Sequence, residues 1–236
     1  MAKIFIATPA FTGMTHVLYT LSLAHTATHL AFAGHETIIR IHSSGSLLIM
    51  ERNSLLDAFL QTECTHILCI DSDMGWRHEA VLSMLEHDKD FVAGCYPIRK
   101  KPDTFHFQAV EKDDGSLVTE GPLVKMLYIP AGFMLIKRHV IEEMQRKLTH
   151  LNYESADPSC GGRIQCALFN TEIVDGILWG EDYVFCRHAR HAGFDIWVDP
   201  RYGFNHCGTI GCLADYLTNK ESEWANHKEH QNESRS

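Results

Sequence analysis

The chain lacks any apolar run near the roughly 20 residues that a bilayer-spanning helix needs; stretches such as residues 66–70 and 134–136 are far shorter. Its start, MAKIFIATPAF, holds one lysine and a strand-like run stopped by Pro9, without the apolar core and small-residue cleavage site of a secretory leader. A cytoplasmic protein with no membrane span is the expectation. No CxxC pair occurs among the eight cysteines, at positions 64, 69, 95, 160, 166, 186, 207 and 212. Several fall in apolar strand-like runs, where a free thiol packs as a small hydrophobe. The pairs Cys160/Cys166 and Cys207/Cys212 match no common zinc spacing, so reduced thiols are expected. A glycine-rich phosphate loop is missing too: PAFTGMT, after the first strand, has one glycine, which argues against a nucleotidyltransferase or pyrophosphorylase. Positive charge is scarce, with 21 Lys and Arg against 30 Asp and Glu and a formal net charge of −9. That balance disfavours non-specific adhesion to nucleic acid or to an anionic membrane.

What is present is one α/β domain's worth of alternating signals, and 236 residues with 45% hydrophobic content can bury one substantial core. Short β-rich runs at residues 3–8, 36–42, 66–70 and 91–96 alternate with helical spacing at 15–33, 47–60 and 78–87. Such alternation builds a mostly parallel central sheet flanked by helices. A turn is expected at 43–46 and a hairpin around Asp113-Asp114-Gly115. Residues 127–137 read as a strand interrupted by a bend at Pro130, Ala131 and Gly132, followed by a helix to Lys147. Residues 152–176 read as a long loop, 181–192 as a helix and 196–198 as a strand. The domain is expected to span 1–217, with an acceptor-side insert at about 98–176 and a polar tail at 218–236.

Chemistry concentrates in HILCIDSDMGW, where Asp71 and Asp73 follow a buried strand, the end of an open α/β sheet at which ligands collect. Carboxylates at i and i+2 can share a hard divalent cation, and a cation with open positions can hold a diphosphate. The ordinary reading is a turn whose aspartates cap the next helix. Glu181 and Asp182 open a later helix in GEDYVFCRHARHAGF, a placement that the helix dipole alone would favour. The order is more specific than its parts: a strand-end Asp-Ser-Asp, the glycine-bearing AGFMLIKR strand, the GED helix start, then the histidine of FNHCGT.

This four-part order resembles the GT-A glycosyltransferases, chiefly the bacterial and bacteriophage proteins like glycosyltransferase family 2. The resemblance runs from about Lys3 to Gly208, and the RNSLLDAFL segment from Arg52 to Leu60 is similar to Anp1-type mannosyltransferases. It implies a metal-dependent enzyme that moves a sugar from a UDP- or GDP-sugar donor to an acceptor hydroxyl, with a glycan or a modified DNA base as acceptor. It further implies that Asp71, Ser72 and Asp73 hold the donor diphosphate through Mn²⁺ or Mg²⁺, with Asp71 and Asp73 at the metal and His206 completing its site. Thr8, Pro9, Arg52 and Asn53 would line the nucleotide pocket, and Glu181 and Asp182 would face the acceptor. The glycine turn after the first strand is sparser here than in that family. A non-catalytic nucleotide-sugar-binding module is the alternative.

The chemistry supports those roles on its own terms. Cleaving a sugar–phosphate bond leaves a charged diphosphate that a cation stabilises. An acceptor hydroxyl needs a carboxylate to take its proton in an inverting reaction, with Asp182 first in line and Glu181 second. Trp76 and Trp179 suit either a sugar face or a core edge. His16, His25, His29 and His35 read as surface or capping residues, and the Arg99-Lys100-Lys101 run reads as a solvated loop in preference to a phosphate grip.

Overall fold

The computed structural model describes residues 1–43, 47–99, 101–155, 162–207, 209–218 and 220. In chain order the elements are β1 (Lys3–Pro9), α1 (Val17–Phe32), β2 (Glu36–His42), α2 (Leu48–Leu60), β3 (His66–Ile70), β4 (Met74–Gly75), α3 (His78–Glu86), β5 (Phe91–Ala93), β6 (Pro97–Ile98), β7 (Lys101–Phe105), β8 (Gln108–Ala109), β9 (Thr119–Glu120), β10 (Leu123–Tyr128), β11 (Phe133–Lys137), α4 (Arg138–Lys147), β12 (Asn152–Glu154), β13 (Ile164–Cys166), β14 (Glu172–Val174), β15 (Ile177–Trp179), α5 (Glu181–His191), β16 (Ile196–Val198), β17 (Gly203–His206) and β18 (Thr209–Cys212).

The main sheet has nine strands in the order β2-β1-β3-β11-β5-β16-β10-β8, with β9 also on β10. β2, β1 and β3 run parallel, as do β5 and β16. β11 opposes its neighbours β3 and β5, and β10 opposes β16, β8 and β9. Every strand except β10 and β11 therefore points the same way, the mostly parallel α/β sheet that the alternation of strands and helices predicts.

Period-2 alternation makes this a three-layer structure. β1 sends Ile4 and Ile6 into one core with Tyr19 and Leu30 of α1 and Val81 and Met84 of α3. Its intervening Phe5 and Ala7 enter the opposite core with Leu55 and Phe59 of α2, Val140 and Ile141 of α4 and Phe185 of α5. Each such Val, Leu, Ile, Met or Phe side chain contributes about 1.5–3 kcal/mol on burial. The register that sets Ala7 beside Cys69 brings the C-terminal ends of β1 and β3 to one edge. Pro9 and Asp71 emerge there.

Several expectations change in detail. α1 begins at Val17 because His16 is its N-cap, extended at φ −66 and ψ 147, with Nδ1 accepting from the Leu18 N–H at 3.3 Å. β5 stops at Ala93, and the Phe204 ring fills the side-chain space of the next residue, Gly94, where a Cβ would lie 2.2 Å from it. The interrupted strand of residues 127–137 is two separate strands: β11 enters the middle of the sheet, whereas β10 lies beyond β16. Pro130 has no N–H for a ladder, so the chain leaves one strand there and crosses to another place in the sheet. The stretch 152–176 holds β12, β13 and β14 in addition to loop. The expected turn at Ser44–Ser46, Lys100, Cys160, Gly208 and most of the 218–236 tail lie outside the described residues.

Candidate functional site

β3 ends at Ile70, and Asp71 is fixed where its N–H donates to the Gly132 carbonyl at 3.1 Å. Arg52 of α2, only 7% exposed, reaches the Asp71 carboxylate with Nη2 at 2.8 Å. Its Nη1 lies 3.6 Å from the Glu181 carboxylate and has no hydrogen-bond partner among the described residues. Burial works against the Arg52 charge, but Asp71 and Glu181 outweigh it and hold the guanidinium firmly protonated. Its planar head also lies over the Phe169 ring, 5.4 Å from the centroid. Asn53, one residue on, uses both ends of its amide on the Phe169 backbone, at 2.8 and 2.9 Å. Asn53 thus anchors the ring against which Arg52 lies.

Asp73 has different surroundings. β4 pairs with β17, setting His206 opposite Met74, and this pairing carries His206 to Asp73 across more than a hundred residues of sequence. The His206 Nε2 is 3.5 Å from Asp73 Oδ2, and Cys207 Sγ lies 3.1 Å from the same oxygen. Nδ1 of His206 is 2.9 Å from the Pro97 carbonyl. The Arg99 guanidinium, at the end of the β6 turn, donates through Nη2 to Asp73, and its Nε lies 3.1 Å from His206 Nε2. Burial raises the Asp73 pKa, but the hydrogen bonds from His206 and Cys207 and the Arg99 charge prevail and hold it well below the usual carboxylate range. Burial lowers the His206 pKa, and its bonds to Asp73 and Pro97 more than offset this, raising it.

Two cavities border the Asp73–His206 pair, one on each residue. One, of about 430 Å³, is lined by Pro9, Phe11, Leu48, Glu51, Asp71, Ser72, Asp73 and Arg99. The other, of about 280 Å³, is lined by Tyr96, Pro97, Ile98, His106, Pro130, Asp182, Tyr183 and His206. Glu181 and Asp182 form the first turn of α5 and point to different jobs: Glu181 faces Arg52, while Asp182 borders the second cavity. Asp182 Oδ1 accepts from the Tyr183 N–H at 2.8 Å, yet burial and the neighbouring Glu181 charge raise its pKa.

Of the residues singled out in the sequence, Pro9, Asp71, Ser72 and Asp73 share the first cavity, His206 and Asp182 border the second, and Arg52 and Glu181 lie behind Asp71. Thr8 is fully buried and its hydroxyl meets that of Tyr19 at 2.5 Å, so it supports the strand end from below. Trp76 is a core residue whose Nε1 donates to Thr26 at 2.8 Å. Trp179 packs on Tyr128 and Tyr183 beside a smaller cavity that shares Tyr183 with the second one. Arg99 is exposed, as a solvated loop implies, with its side chain 61% accessible, and its guanidinium also reaches Asp73 and His206. Tyr96, Glu51 and Phe11 escaped notice because nothing in their sequence spacing separates them from core or turn residues.

The donor set fits a divalent cation in part. Asp73 and His206 offer an oxygen and a nitrogen close enough to share one ion, and substrate phosphates commonly complete such sites. Among the described residues no three His, Cys, Asp or Glu side chains form a ligand group. Asp71 is engaged by Arg52, and Arg99 already places positive charge on Asp73 and His206.

No protein-family model matches the chain, and no curated protein matches it. Solved structures with a similar chain course include A197 from STIV, at 16% identity over 87% of this chain and 85% of that one, with a TM-score of 0.48. GalNAc-T7, solved with UDP, GalNAc and Mn²⁺, aligns at 8% identity over 87% of this chain and 44% of its own, TM-score 0.45. Residues 1–349 of TarS from S. aureus, in complex with UDP-GlcNAc, align at 13% identity over 84% and 56%, TM-score 0.44. This chain therefore spans less than half of the GalNAc-T7 chain and little more than half of that TarS chain. At these scores no residue correspondence is carried over, and the fold rests on the strand order itself. No helix of the described residues is long and apolar enough to cross a membrane.

Proposed function

We propose that the chain is a glycosyltransferase that takes a nucleotide-sugar in the 430 Å³ cavity and an acceptor hydroxyl in the 280 Å³ cavity. The observation that carries this reading is the contact between Asp73, which lines the first cavity, and His206, which lines the second together with the Asp182 carboxylate. Phe11 and Leu48 give the first cavity an apolar end for a nucleoside, and Asp73 and Arg99 give it a polar end for a diphosphate. A divalent cation held by Asp73 and His206 would offset the charge that develops on the leaving diphosphate. Arg99 is placed to do part of the same work as a fixed guanidinium on the phosphate oxygens. Asp182 takes the proton of the acceptor hydroxyl in an inverting reaction; in a retaining one it orients the acceptor instead. Arg52 holds Asp71 and Glu181 in place.

The catalytic unit in this reading is residues 1–217. The acceptor side draws on the 98–176 span, which supplies His106 and Pro130 to the second cavity.

The test is a thermal-shift screen of UDP, GDP, ADP, CDP and dTDP, each with Mn²⁺, Mg²⁺ or a chelator, on the wild type and Asp73→Ala. A ligand at a hundred times its dissociation constant stabilises the folded state by about 2.7 kcal/mol. We expect a metal-dependent rise with one base, absent from Asp73→Ala. A folded wild type that shifts with none of the five would remove the donor assignment.

A further inference from the structure

β2 has a property that the candidate site does not use. It ends the strand order, hydrogen-bonded to β1 on one side and to no strand on the other among the described residues. Open edges are normally guarded by lysines, prolines, bulges or short length. β2 keeps an unbroken register over seven residues, and its Ile38, Ile39 and Ile41 are 43%, 44% and 41% exposed. β2 itself carries Glu36 and Arg40, but its surroundings are poor in charge. Lys3, Glu36 and Arg40 are the only Lys, Arg, Asp or Glu residues among the first 50, in a chain with 21 basic and 30 acidic ones. Helix α1, which packs on β2, has none, and its outward stripe leaves Val17, Leu21 and Phe32 exposed.

A lipid surface does not suit this edge, because the unpaired backbone N–H and C=O groups would find no partner in hydrocarbon. Another strand satisfies them. The sequence of β2 fits itself: pairing two copies antiparallel about a twofold axis at Ile39 sets Ile39 on Ile39, Ile38 beside Arg40, Thr37 beside Ile41 and Glu36 beside His42. No like charges then face each other, and at each end a carboxylate meets the Nε2 side of an imidazole whose Nδ1 is bonded to Glu51 of its own chain. Glu36, exposed and 3.3 Å from Lys3 of its own chain, remains free to turn toward that imidazole. Such a contact is isologous and closes at two copies. A specific interface buries about 1,200–2,000 Å² in all, more than two strands supply, and the uncharged stripe of α1 adds to it. We propose that the chain forms a twofold homodimer through antiparallel pairing of β2, flanked by α1.

Sedimentation velocity on the full chain over a wide concentration range tests this. The expected result is a reversible species of twice the 26.8 kDa chain mass. Ile39→Lys places two lysines face to face and is expected to weaken association at least about tenfold. Mixing Ile39→Lys with Ile39→Glu is expected to restore a heterodimer, because position 39 faces itself. Leu21→Glu on the exposed face of α1 serves if Ile39→Lys fails to fold by circular dichroism, and is expected to weaken association as well. A wild type monomeric throughout, a dimer indifferent to Ile39→Lys and Leu21→Glu, or a Lys/Glu mixture that stays monomeric would each overturn the proposal. So would a monomer that instead floats with phosphatidylglycerol vesicles.

Discussion

At the scale of the residue, the two acidic pairs separate into four distinct situations. Asp71 is neutralised by Arg52, Asp73 is held ionised by His206, Cys207 and Arg99, Glu181 faces the unsatisfied side of Arg52, and Asp182 alone keeps a raised pKa beside an open cavity. A general base must be unprotonated, so turnover falls as pH drops through its pKa. If Asp182 is that base, the acidic limb of kcat/KM lies above the ordinary aspartate value of 3.8. Asp182→Asn removes that limb and lowers kcat about a hundredfold or more, with donor binding unchanged. Steady-state kinetics across pH checks both, and a variant with near-normal turnover would take Asp182 out of the mechanism. The Asp-Ser-Asp and GED motifs were legible because carboxylates at a strand end and at a helix start are local patterns. Arg99 was not, because a basic run in a turn looks the same in sequence whether it meets water or a partner contributed by β17.

At the scale of the element, the approach to β11 shapes the site through a missing side chain. A Cβ on Gly132 would lie 2.3 Å from the Tyr96 hydroxyl and 2.7 Å from Asp71 Oδ2, so any side chain pushes both away. The Gly132 N–H also donates to that hydroxyl at 3.0 Å. Gly132→Ala is therefore expected to move Asp71 off Arg52 and weaken nucleoside diphosphate binding about tenfold or more. The stability cost should be about 1–3 kcal/mol, the usual scale of overpacking. Calorimetric titration beside urea unfolding separates the two effects, and unchanged affinity would show that the Asp71 position is immaterial to the donor. The sequence signalled a bend at 130–132 but not that β10 and β11 occupy distant places in the sheet. Local backbone chemistry marks where a strand stops, whereas long-range pairing decides where the next one goes.

At the scale of the whole molecule, one buried carboxylate ties the chain's end to its middle. Asp199, 1% exposed, follows β16 and accepts from Arg201 at 2.6 and 2.8 Å, from Ser83 of α3 at 3.2 Å and contacts His87 at 2.9 Å. Burial raises its pKa, but the bonds from Arg201 and His87 lower it from 3.8 to about 2. A lowered carboxylate pKa stabilises the fold above the unfolded value and loses that contribution as pH falls through the folded one. Stability from Asp199 is thus complete above about pH 4 and fades toward pH 2. Asp199→Asn is expected to cost about 2 kcal/mol or more at neutral pH and to flatten this part of the acid profile, read by urea denaturation at several pH values. An acid profile indifferent to the substitution would assign the acid sensitivity elsewhere.

The amino-acid sequence by itself determined the alternation of strands and helices, the mostly parallel sheet and the two acidic motifs. Each is written in spacings of a few residues that fix local backbone geometry and one buried face. Only the tertiary structure decided which of those groups meet. It placed His206 and Arg99 on Asp73, set Arg52 between Asp71 and Glu181, opened Asp182 to a second cavity, and put β11 between β3 and β5. These are contacts between residues far apart in the chain, selected by the packing of whole layers, and short-range sequence patterns carry no record of them.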